Sequence, residues 1–135
     1  MAKRQSETIF DHLYMETGRI GDPCVYCGQP SDSHDHVPPL HYVMRVKQAD
    51  ADAIRLRKHP ACRECNSILG GAIILTLQER RKHVKAHLRK KYKSYLRMPF
   101  WDEDELSQME PRFAEQIRRS ARYSEFIKAR IAFRT

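Results

Sequence analysis

A chain of 135 residues, 41% hydrophobic and 31% charged, is one domain's worth of sequence, with enough apolar side chains for a modest core; disorder throughout is excluded. No apolar run reaches the length of a membrane span, and the basic start MAKRQSETIF is not followed by the apolar stretch of a signal peptide, so the expected setting is a reducing cytoplasm with no membrane partner. The net charge of +8 favours a polyanionic partner, and its placement along the chain carries more weight than its size.

In chain order, residues 4–17 read as a short helix with Ile9, Leu13 and Tyr14 on one face, broken by the stretch from Gly18 to Pro23. Residues 24–66 hold all four cysteines, four of the histidines and four of the prolines, a composition that predicts short, irregular or β structure. Its best strand pieces are Tyr42-Val43-Met44 and Ile54-Arg55-Leu56, with Gln48 to Ala53 as the turn between them. A short helix is expected to start near Cys65 and to end at Gly70-Gly71.

Thr76-Leu77-Gln78-Glu79 has the spacing of a capping box and opens a helix over 77–97. Along it Val84, Leu88, Tyr92 and Leu96 recur every four residues, one packing stripe, surrounded by Arg80, Arg81, Lys82, Lys85, Arg89, Lys90, Lys91, Lys93 and Arg97. Pro99 ends it. Asp102 is placed to cap a short acidic helix, and a last helix runs from Pro111 to Phe133 with Phe113, Ile117, Ala121, Ser124, Ile127 and Ile131 on its inner face. That helix can pack within the chain or against a second copy.

The cysteines form two C-x-x-C pairs, Cys24/Cys27 and Cys62/Cys65. Two such knuckles can close a tetrahedral zinc site with four thiolates. Disulfides across each pair would close loops too small to stabilise much and do not suit a reducing compartment, and a redox role would explain only one pair. The expectation is a structural zinc that contributes folding energy to a small chain.

Between the knuckles lies Asp35-His36-Val37-Pro38-Pro39, and Asn66 directly follows the last cysteine. A zinc joining the knuckles would bring Asn66 close to the segment after Cys27. A carboxylate, an imidazole and an amide oxygen could then converge: Asp35 and Asn66 as hard ligands for Mg²⁺ or Mn²⁺, His36 as general base toward a water. A divalent ion beside a base is equipment for phosphodiester hydrolysis. One geometric condition applies. In a regular strand Asp35 and His36 point to opposite faces, so both serve one site only if the backbone is bent or bulged there, as the two prolines suggest.

Together, Cys-x-x-Cys, Asp-His-Val-Pro-Pro and Cys-Arg-Glu-Cys-Asn-Ser-Ile-Leu-Gly, spanning about residues 24–70, resemble the HNH endonucleases of the ββα-metal superfamily. The resemblance implies an α+β, helix-rich fold. Residues 1–135 would form a single nuclease domain: an N-terminal helix in 1–23, a zinc-stapled ββα core in 24–75, and basic and C-terminal helices in 76–135. It implies a catalytic role for His36, Asp35 and Asn66, a divalent ion held by Asp35 and Asn66, and a zinc on Cys24, Cys27, Cys62 and Cys65 that takes no part in chemistry. It also implies cleavage of nucleic acid, double-stranded DNA in the first instance, leaving 5′-phosphate and 3′-hydroxyl ends, and a phage or bacterial origin. Many members carry a middle asparagine before the third cysteine; here the stretch from Ile54 to Cys62 has none, and Arg57 and His59 are the candidates for its bracing role.

His34 can share a face with His36, yet an isolated histidine in a turn is more simply an exposed or supporting residue, and the same holds for His41 and His59. On the 77–97 helix, Arg81, Lys85 and Arg89 follow one another at four-residue intervals and can track a phosphate backbone; the bland alternative is a solvated charged face. The rival to an endonuclease is a zinc-stapled nucleic-acid-binding module without catalysis.

Overall fold

In the computed structural model, residues 10–46 and 55–134 are described. Among these residues, three strands and six helices follow the helical residues Phe10 and Asp11: β1 (Met15–Glu16), β2 (Ser33–Val37), α1 (Leu40–Val46), β3 (Arg57–Ala61), α2 (Arg63–Leu69), α3 (Leu77–Lys91), α4 (Lys93–Leu96), α5 (Glu103–Ser107) and α6 (Pro111–Ala132). The fold is thus α+β and rich in helix. The strands form one small sheet in the order β1-β3-β2, with β1 parallel and β2 antiparallel to β3.

The strands lie where composition argues against them. Arg57-Lys58-His59-Pro60-Ala61 is polar and carries a proline in the central strand. β1 reaches only as far as Lys58, so the side of β3 beyond it is open, and the Pro60 carbonyl accepts from the Val25 amide across a loop. No ladder bond is asked of the missing N–H there. The expected strand Tyr42–Met44 is instead helical. Pro39 precedes α1 and its carbonyl accepts from the amides of Tyr42 and Val43, a helix start that outweighs the β preference of three residues. Of the other expected strand, Arg55 and Leu56 precede β3, while Ile54 and the turn at 48–53 lie outside the described residues. The expected helix over 4–17 is mostly outside them as well; its final residues do not continue as helix, since Met15 and Glu16 pair with Arg57 and Lys58.

The helices follow their sequence signals more closely. α2 starts two residues before Cys65 and ends at Gly70, whose positive φ of 46° suits the residue that terminates it. Thr76 caps α3 by accepting from the Glu79 amide, and Asp102 and Glu105 make a reciprocal capping box at α5. The expected 77–97 helix breaks at Tyr92 into α3 and the one-turn α4. On α6 the buried line is Ala114, Ser124, Ile127 and Arg130, while Phe113 and Ala121 of the expected inner face are exposed; a buried line drifts around a helix with 3.6 residues per turn.

The core is centred on the cysteines. Cys24, Val25, Tyr26, Cys27, Ala61 and Cys65 form one buried cluster with Leu69 of α2 and Val84 and Leu88 of α3. The first two members of the α3 stripe are therefore core, and Tyr92 and Leu96 are half-buried. No helix among the described residues is long and apolar enough to cross a membrane.

Candidate metal centre and basic cleft

Cys24 and Cys27 lie in the loop before β2, and Cys62 and Cys65 straddle the start of α2, where Cys62 occupies the cap position. The β2–β3 pairing, with Ser33 opposite Ala61, brings the two knuckles together. All four sulfurs lie within 4.8 Å of one another, and those of Cys27 and Cys62 are 3.6 Å apart. That is far from a disulfide, and all four cysteines are free. A tetrahedral zinc with bonds of about 2.3 Å separates its sulfurs by about 3.8 Å, so the donor set fits. Cys27 and Cys62 are held below the ordinary thiol range, in each case chiefly through the Cys24 thiol beside them.

A zinc with four thiolates carries a net negative charge, and a buried cation stands beside it. Arg130 of α6 is 5% exposed, and its guanidinium lies 4.0 Å from the Cys65 sulfur and 2.6 Å from Glu64. Glu64, inside the second knuckle, also accepts from Lys91 and from the Tyr92 hydroxyl, both at 2.5 Å. One carboxylate between two cysteines of the cluster thus ties α2 to the end of α3 and to α6. Neither Glu64 nor Arg130 stands out in the sequence as a site residue; the available signal is that Arg130 follows Ser124 and Ile127 at three-residue intervals on α6.

The three residues expected to form a hydrolytic centre are held by different partners. β2 is a regular strand, with continuous register from Ser33 opposite Ala61 to Val37 opposite Arg57, so the bend required to bring Asp35 and His36 onto one face is not present. Asp35 is 3% exposed. Its carboxylate receives two hydrogen bonds from Arg80 of α3, from Nε at 2.8 Å and from Nη2 at 2.6 Å, and a third from the Tyr26 hydroxyl. Arg80, expected on the basic outer face, is itself 2% exposed and also donates to the Ile74 carbonyl at 2.8 Å. Continuing the Val84–Leu88 stripe back one turn lands on Arg80.

His36 faces the other way. Its Nε2 lies 2.5 Å from the Asp11 carboxylate, Tyr14 packs edge-on against the ring, and Lys58 donates to the same Asp11 oxygens at 3.1 and 3.2 Å. The hydrogen bond with His36, with help from Lys58, holds the Asp11 carboxyl below its usual range. The Asn66 amide nitrogen donates to the Ser33 hydroxyl at 3.1 Å and to the His34 carbonyl at 3.3 Å, bracing α2 against β2. A carboxylate already bonded to a guanidinium and a tyrosine is not free to ligate, so these residues as arranged do not fit a catalytic divalent ion. Of the remaining histidines, His34 Nε2 meets the Gly18 carbonyl at 3.0 Å, His59 Nδ1 meets the Thr17 hydroxyl at 2.8 Å, and His41 is exposed on α1. His59 pairs directly opposite Asp35 across the strands, and Arg57 pairs opposite Val37.

Arg81, Lys85 and Arg89 do share a surface. With Lys82 they line a cleft of about 870 Å³ together with Lys128 of α6 and Arg134 just beyond it; no carboxylate is among the described lining residues. Arg89 and Lys82 are exposed, Arg81 and Lys85 half-buried. The Lys85 ammonium donates to the Phe133 carbonyl, which ties α3 to the residue just beyond α6. Burial, reinforced by Arg134, Arg81 and Arg89, pulls the Lys85 pKa below its usual value. The arginines around Lys85 add like charge beside it, which a bound anion would offset.

Neither a protein-family model, nor a curated protein, nor a solved structure matches the chain.

Proposed function

We propose that the chain is a zinc-stapled nucleic-acid-binding protein that uses the α3–α6 cleft as its contact surface, working in a reducing compartment such as the cytoplasm of a bacterial host. The observation that carries this reading is the charge of the cleft: six cations, five from two helices and Arg134 just beyond α6, with no carboxylate among the described lining residues. Surfaces with both signs interspersed are the rule for solvated helices, whereas a one-sign concave wall concentrates counter-ions and steers polyanions. The zinc would contribute rigidity, since Glu64 and Arg130 fix both helices to the knuckles.

A second reading is metal-dependent endonucleolytic cleavage of double-stranded DNA, the activity that the HNH resemblance implies. What favours it is His36: half-buried, with Asp11 on Nε2 to orient the ring, it has the arrangement of a positioned general base. Against it stands Asp35, which would have to leave Arg80 and Tyr26 to meet Asn66 around Mg²⁺ or Mn²⁺.

Supercoiled plasmid and labelled oligonucleotides, incubated with the zinc-loaded protein and either ion, separate the two. The first reading expects salt-sensitive binding and intact plasmid. Nicking that chelation of the added ion stops and that His36→Ala abolishes would establish the second. Absence of nucleic-acid binding at low salt would overturn both.

A further inference from the structure

The cleft is lined by apolar side chains as well as by cations, and these make an apolar floor of three half-buried residues. They are Leu96 of α4, Ile131 of α6 and Phe133 just beyond it. The Phe133 ring lies over Gly28, directly after the first zinc knuckle. A Cβ at Gly28 would come within 2.6 Å of the ring, and the residue also has a positive φ of 78°. Only glycine lets the ring settle there, so an aromatic side chain is seated between the metal knuckle and the cleft. The volume, about 870 Å³, lies within the roughly 300–1,000 Å³ typical of small-ligand sites.

Charge alone would be served by a flat basic face. A duplex keeps its bases stacked inside and offers a protein its phosphates and groove edges, so an apolar floor among the cations gains nothing from it. An unpaired strand offers both chemistries at once: phosphates spaced along the backbone, and base faces free to pack on aromatic and aliphatic side chains. From this match we propose that the α3–α6 cleft seats an unpaired nucleotide of single-stranded nucleic acid. Its base lies on Phe133, Leu96 and Ile131, and its flanking phosphates lie between Arg81, Arg89, Lys128 and Arg134. The proposal rests on the nucleic-acid-binding reading and adds the strandedness of the partner.

The test compares a fluorescent oligo-dT 15-mer, a blunt 15-base-pair duplex and a poly-glutamate peptide by anisotropy, with the zinc-loaded full chain at 150 mM salt. The single strand should bind about tenfold tighter than the duplex. Phe133→Leu keeps an apolar side chain over Gly28 but removes the ring; it should weaken the single strand by about tenfold and leave the duplex unchanged, with zinc content and far-UV dichroism as for the parent chain. Leu96→Asn, at a lining residue of the cleft that does not pack on Gly28, should show the same selectivity should Phe133→Leu prove unstable. Equal affinity for single strand and duplex, with both floor variants unchanged, would overturn the proposal and leave the wider reading standing. Binding of poly-glutamate but of neither nucleic acid would overturn both.

Discussion

Replacing Arg80 by methionine tests the most consequential contact in the molecule. Arg80 and Asp35 are 2% and 3% exposed, joined by two hydrogen bonds of 2.8 and 2.6 Å, with a third arginine bond to the Ile74 carbonyl. Methionine preserves the stem and its packing beside Val84 and Leu88 but strands a buried carboxylate with Tyr26 as its remaining partner. Removing one member of a buried pair costs about 3–5 kcal/mol, because the other charge stays desolvated. Unfolding entropy for 135 residues is about 0.28 kcal/mol/K, so the midpoint should fall by about 10–18 °C. Asp35→Leu together with Arg80→Met removes both charges and should recover stability to within about 2 kcal/mol of the parent. Urea unfolding at pH 7 with saturating zinc measures all three proteins. A loss below about 1 kcal/mol in Arg80→Met would refute the buried pair. Restoration of that variant by millimolar Mn²⁺ would show that the released carboxylate accepts an ion, and would move the balance toward hydrolysis.

Three further outcomes are expected. The purified protein should carry one zinc per chain; chelation or Cys62→Ser should unfold it rather than merely reduce binding, and a stable metal-free protein would contradict the assignment. Replacing Arg81, Lys85 and Arg89 by glutamine should flatten the log–log salt dependence of nucleic-acid binding by roughly two units at about 0.9 per phosphate contact, since Lys85 is partly committed to the Phe133 carbonyl; an unchanged slope would mean a solvated surface. Burial lowers the pKa of His59 from its ordinary 6.5, so the unfolded chain takes up the proton first and stability should decline as pH falls from about 7 through 6.5 toward the lowered value. His59→Gln should flatten that limb of a urea-midpoint series at constant zinc, and an identical series would discount the buried imidazole.

The parts legible in the sequence are those set by local chemistry. Thr76 and Asp102 cap helices because their oxygens reach amides three residues on, and the C-x-x-C spacing gathers four sulfurs whatever the rest of the chain does. The strands were not legible. Ser33–Val37 and Arg57–Ala61 lack hydrophobic alternation and hold one β-branched residue between them, Val37, and they are held instead by pairing with each other beside the cysteine knuckles. The candidate centre departs from the expected arrangement at a particular link. That Asp35 and His36 would face apart on a regular strand was derivable, and they do. That Asp35 would meet an arginine 45 residues away was not, because a run of nine cations on one helix reads as a single surface until the depth of each is known.

The cleft and the knuckles differ in how firmly their walls are held. The sulfur cluster and its covering helices form one buried core, whereas the far wall of the cleft is the last turn of α6 and the residues just beyond it, where Lys128, Ala132 and Arg134 are exposed and the ties inward run from Phe133 to Lys85 and from Arg130 to Glu64 and Cys65. A segment with few buried contacts opens before the core does. In a native-state hydrogen-exchange experiment the amides at the end of α6 should therefore open below the global unfolding free energy while those of α2 and α3 stay protected. A cleft with that behaviour can admit a flexible strand from the side, with no need to thread its end.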